Sequence, residues 1–130
     1  MTIATDVEIY IARVQAADIH AWLETRLDAV IPQRKHKGMP KNAVPFEGEW
    51  QGERFTIIVM EKVMDGFTSV WLNSPNLPWH DDAECAREAV AHFKREARIA
   101  AGGWQEKDDP DAWIQLTPDG EERPIQWRTE

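Results

Sequence analysis

A chain of 130 residues with 42% apolar and 29% charged side chains is long enough to build one hydrophobic core without covalent staples. Its net charge of −8 argues against a general nucleic-acid binder, because phosphate contacts need cations in number. The lone Cys85 forms no internal disulfide, no apolar run is long enough to span a bilayer, and Met1–Asp6 lacks a basic-then-apolar signal; these features point to the cytoplasm and away from membranes.

The charge is unevenly placed. Residues 1–42 hold six Lys/Arg against five Asp/Glu, residues 43–105 six against ten, and residues 106–130 three against eight. The basic run is Arg34, Lys35, His36, Lys37 and Lys41, set among Pro32, Gly38 and Pro40, which reads as a solvated loop.

In chain order, Val7, Ile9 and Ile11 alternate with Glu8, Tyr10 and Ala12, which predicts a strand over 7–14. Ile19, Trp22, Leu23, Leu27 and Val30 then fall on one helical face, predicting a helix over 16–30 that Pro32 stops. The helix-free interval 44–74 reads as a three-stranded antiparallel meander, Phe46–Trp50, Arg54–Val63 and Phe67–Asn73, turned at Gln51-Gly52 and Asp65-Gly66. Phe55 to Met60 is apolar on both parities, so this strand is expected to be central and covered on both faces. The second cover is expected from either the carboxy-terminal hairpin or a second subunit.

Asp81 looks like a helix N-cap, with Glu84 three residues on to complete a capping box. Ala86, Ala89, Val90, Phe93 and Ala97 predict the apolar stripe of a second helix through about Arg98, ended by Gly102-Gly103 or followed by a short strand. A polar stretch over 105–111, with Asp108, Asp109 and Asp111, reads as a solvated linker. It leads to a hairpin of Trp113–Leu116 and Arg123–Arg128 about Pro118-Asp119-Gly120. The order β-α-β-β-β-α-(β)-β-β gives one α+β domain over 1–130. Two helices pack on a largely antiparallel sheet of five to seven strands, and a ferredoxin-like core with added strands is the nearest architecture.

Chemistry is harder to find. Cys85 lies in the first turn of the second helix, where the dipole lowers a thiol pKa, and His80 is close in sequence. Asp81, Asp82, Glu84 and Glu88 oppose a thiolate there, and a structural cysteine is the plainer account. Cys85, Glu88 and His92 share one side of that helix, but Cys85 and His92 are about 10 Å apart along the axis at the helical rise. No metal and no cofactor is expected.

Seven tryptophans are the strongest signal, and most rings are expected to hold the fold together. On the third meander strand, Ser69, Trp71 and Asn73 share a face opposite Val70 and Leu72. Polar neighbours on that parity make Trp71 the expected recognition residue, with Asn73, Trp79 and His80 beside it and Trp50 and Trp113 as further rings open to a partner. The function expected is a non-enzymatic binding module that docks a protein partner, or itself as a homodimer, through the Trp-bearing sheet face. An inhibitor or immunity-type protein covering a basic partner is one form of it. The alternative from another class is a small-molecule binder or small enzyme with a pocket lined by Trp71, Trp79, His80 and Cys85.

Overall fold

The computed structural model describes residues 6–101 and 111–128. Its eight strands form one sheet in the order β2-β3-β4-β5-β1-β6-β7-β8, with every neighbouring pair antiparallel. The class is α+β: two helices pack against this sheet. In chain order the elements are β1 (Val7–Ala12), α1 (Ala16–Glu24), β2 (Ala29–Pro32), β3 (Ala43–Trp50), β4 (Glu53–Met64), β5 (Phe67–Leu72), α2 (Asp82–Phe93), β6 (Ala97–Ala100), β7 (Ala112–Leu116) and β8 (Glu122–Gln126). Gly102-Gly103, Trp104 and the Asp108–Asp109 linker lie outside the described residues.

The strand count exceeds the expected five to seven because the first helix is shorter than its apolar spacing predicts. α1 stops at Glu24, and the Thr25 hydroxyl donates to the Trp22 carbonyl at 2.6 Å, taking an acceptor the next turn would use. Leu27 and Val30 are still buried, but Leu27 from a turn and Val30 from β2. The β-branched pair Val30-Ile31 ahead of Pro32 fits a short strand better than a last helical turn.

α2 likewise ends at Phe93 instead of Arg98. Lys94 adopts a left-handed backbone with φ 58°, its N–H bonding Val90 O at 2.9 Å. Ala97 is buried, as its place on the helical stripe required, yet it gets there by alternation with Ile99 in β6. At the other end Asp81 caps α2 as expected, accepting from Glu84 N at 2.9 Å. The reciprocal bond differs from a capping box, because the Glu84 carboxylate accepts from His80 N at 3.0 Å.

The meander forms as its turn residues dictate. Gln51-Gly52 and Asp65-Gly66 both have positive φ at successive positions, the backbone a two-residue hairpin turn requires. Gly48 in β3 answers a different need: a Cβ there would lie 2.7 Å from the Phe55 ring and 2.8 Å from Ile57 Cδ1. Only a bare Cα lets those two side chains of β4 cross over β3.

Both helices lie on one sheet face. Ile19, Trp22 and Leu23 of α1 and Cys85, Ala86, Ala89 and Val90 of α2 share a cluster with Val7, Ile9, Ile11, Ile57, Val59, Val70 and Leu72. A smaller cluster occupies the opposite face, where Ala12, Phe67, Trp113 and Trp127 pack with Tyr10, Met64 and Ile125. Trp127, just past β8, reaches across to Phe67 at a ring distance of 5.0 Å and donates its indole N–H to Asp65 at 2.8 Å. The carboxy-terminal hairpin therefore covers the second face over β1 and β5. On β4, Ile58 and Met60 remain half-buried and Thr56 is exposed, so the two-sided burial expected of that strand is incomplete.

Each edge of the sheet ends in a strand bearing proline. Gln33 N bonds inward to Pro45 O and Trp127 N to Asp111 O, so by ladder alternation Pro32 and Pro124 face outward. Neither has an N–H to offer a further strand. On β2 the His20 ring nitrogen also lies 3.0 Å from the outward Val30 carbonyl.

Candidate functional site

The registers bring Pro45, Ile58, Trp71 and Glu8 into one row across β3, β4, β5 and β1 on the face away from the helices. The next row is Ala43, Met60, Ser69 and Tyr10. Ile58, Met60 and Trp71 are half-buried and adjoin one another, which makes an apolar strip with no described helix over it. The Trp71 indole N–H donates to Asp6 Oδ2 at 2.8 Å, fixing the ring while leaving part of its surface open. Ser69, expected to keep this face wet, is buried, whereas Asn73 on the same parity is exposed.

Acidic groups border the strip. Glu47 sits between Pro45 and Glu49 in β3, and Glu8 and Asp6 lie beside Trp71. At the margin, Asp82 of α2 accepts from Glu8 N at 3.1 Å. Burial pushes the Glu8 carboxyl above its ordinary range, with repulsion from Asp6 adding to it. Burial is also the main cause for Asp82, raised to about 6, with Asp6, Glu8 and Asp81 repelling its charge and the Glu8 N–H partly offsetting them. The field at this margin is negative and would favour a cation.

Trp71 is the one large ring of the expected set on this strip. Trp79 is buried on the helical face, 5.6 Å from the Trp22 ring. Its N–H and that of Trp22 both donate to Glu88, at 3.0 and 3.2 Å, and Arg26 Nε adds a third contact at 2.9 Å. Glu88 thus ties α2 to α1. Its i, i+4 spacing from His92 predicts no more than a surface pair on the helix, and no local signal reveals partners as far off in sequence as Trp22 and Arg26. Cys85 is fully buried beneath, its thiol driven well above the ordinary range by burial, then by Glu88 and Asp82, with Arg26 acting weakly against them.

His80 is 91% exposed and pairs with Glu84 at 3.3 Å, while Trp50 is half-buried against the helical-face core. Trp71 stands on the opposite side of the sheet from Trp79 and Cys85, since Val70 and Leu72 of the same strand face them. These side chains do not line one pocket, and the thiol has no geometry for attack. Among the described residues no three His, Cys, Asp or Glu side chains gather as a metal would require.

Trp113 is buried in the smaller cluster, edge-on to Tyr10 at 5.1 Å and to Trp127 at 4.9 Å. Among the described residues its buried indole N–H has no hydrogen-bond acceptor. The Arg98 guanidinium lies 4.5 Å from the Trp127 ring centroid and 4.6 Å from that of Phe67, with Nε bonded to Glu96 at 2.8 Å. The cluster thus fills its own cation position. Compared with protein-family models, with curated proteins and with solved structures, the chain matches none.

Proposed function

We propose that this chain is a non-enzymatic binding module that docks a basic protein partner through the sheet face carrying Trp71. The observation that supports it most is the half-buried strip of Ile58, Met60 and Trp71 bordered by Asp6, Glu8 and Glu47. An apolar centre with a mainly acidic rim, where Arg54 opposite Glu49 is the exception, suits a cationic surface: the strip contributes desolvation and the carboxylates steer and orient the encounter. The net charge of −8 acts in the same sense and repels nucleic acid. The outward prolines of β2 and β8 favour docking on the face over strand addition at an edge. An inhibitor or immunity-type protein in the cytoplasm is the form of this function that fits best. We take its scaffold as a ferredoxin-like core, β1-α1-β4-β5-α2-β6 with the four strands in the order β6-β1-β5-β4, extended by β2-β3 on one side and β7-β8 on the other. That scaffold implies no function by itself.

A photo-crosslinker placed at Thr56, and at Ala91 on exposed α2 as the control, tests the face. The expected result is one basic protein captured through position 56 and not 91, which binds the purified chain. That binding weakens sharply in Trp71→Ala and in Glu47→Lys while their melting temperatures stay close to wild type. Capture of a second copy of the chain through position 56 would replace the basic partner by a homodimer. A partner whose binding ignores both substitutions would remove this face from the function.

A further inference from the structure

Among the described residues, five non-glycine positions have left-handed backbones: Arg13, Gln51, Lys62, Asp65 and Lys94. Three are accounted for by local structure, since Gln51 and Asp65 open two-residue turns completed by Gly52 and Gly66, and Lys94 ends α2. Arg13, at φ 56°, and Lys62, at φ 53°, belong to neither a two-residue turn nor a helix end. Lys62 lies within an irregularity of β4 between Met60 and Met64, a device that re-aims side chains. Such a conformation is unfavourable for a residue with a Cβ.

These two residues line the same cleft. It has a volume of about 490 Å³ and lies between the exit of β1, the start of α1 and the far end of the β4–β5 hairpin, with Gln15, Glu61, Gly66 and Thr68 completing its walls. The size suits a small ligand. The walls are held: Arg13 N donates to Gly66 O at 3.0 Å and the buried Thr68 hydroxyl to Val14 O at 2.6 Å. Glu61 Oε2 already accepts from Ala16 N at 2.7 Å, so the amide at the start of α1 is taken and is not the attraction. Among the described residues neither Arg13 nor Lys62 has an ion-pair partner, although the chain has an excess of carboxylates.

We propose that this cleft binds a small solute bearing an oxyanion, a carboxylate or a phosphate group, held between Arg13 and Lys62. The cleft is lined by these two cations and by the Glu61 carboxylate, which is already engaged by Ala16 N; an oxyanion between Arg13 and Lys62 would make charge-assisted hydrogen bonds to both. The site is separate from the Trp71 face, and either stands without the other.

Titration of isotope-labelled protein with inorganic phosphate and with citrate, followed by amide NMR, tests it. Saturable shifts confined to the amides around 13–17 and 61–68 are expected, with chloride at matched ionic strength producing none. Arg13→Gly and Lys62→Gly remove a cation from a position where glycine is at ease. Each should weaken binding about tenfold or more, the loss of one charge-assisted contact, yet melt no lower than wild type. Arg13→Asn and Lys62→Asn, which also tolerate this backbone, give the same readout should a glycine variant fold poorly. A response to citrate alone assigns a carboxylate ligand, and to phosphate alone a phosphate ligand. Shifts equal to those with chloride, shifts indifferent to the substitutions, or no shifts would overturn the site.

Discussion

Asp82 shows how one side chain is shaped by its surroundings. Its folded pKa of about 6 stands above the ordinary 3.8. A carboxyl shifted in this direction contributes its stability when protonated: the contribution is full below 3.8 and is lost as pH rises through 6. At neutral pH the carboxylate is therefore a liability. Asp82→Asn keeps an oxygen to accept from Glu8 N and removes the charge. Allowing for the partial exposure of the group, it should stabilise the protein by about 1–2 kcal/mol at pH 7.5. Near pH 4 the two proteins should unfold alike. Urea denaturation of both at several pH values measures the difference, and equal curves at all pH values would mean the carboxyl is not desolvated. Acidification also discharges the margin beside Trp71, so affinity for a basic partner should fall between pH 7 and 5.

At the level of elements, Gly48→Ala is expected to cost about 1–3 kcal/mol, because its methyl must displace the Phe55 ring and Ile57 in a packed core. A thermal melt settles this; an unchanged midpoint would mean that β4 can back away. The meander, the cap at Asp81 and the closing hairpin are all legible in the sequence, since each depends on residues a few positions apart. Helix lengths are not. Leu27, Val30 and Ala97 satisfy a helical period and are buried, but the period shows only that they face inward, and a strand does that equally well. Strand parity places Trp71 opposite Val70 and Leu72, yet not on which side the helices pack. That choice separates Trp71 from Trp79, and it depends on contacts distant in sequence, such as Glu88 with Trp22 and Arg26. The Arg13–Lys62 cleft leaves no trace in the sequence, because left-handed backbones at these residues follow no propensity.

For the whole molecule, the order of strands sets what must happen first. β1 is made before both strands that flank it and lies near the middle of the sheet, between β5 and β6. Val7 pairs with Leu72, and Tyr10 with Arg98. A nascent chain therefore exposes Val7, Ile9 and Ile11 until β5 and β6 have been synthesised. The local β3–β4–β5 meander has no such wait and forms the natural template, onto which β1 and then the β6–β8 edge assemble. Conservative truncations on the meander, such as Val59→Ala, should slow refolding. Ile99→Val in β6 should chiefly speed unfolding, as stopped-flow tryptophan fluorescence would show. The placement that gives β1 two flanking strands in the finished protein also makes it the segment most in need of shelter during synthesis, where a chaperone would bind and a stalled chain would aggregate.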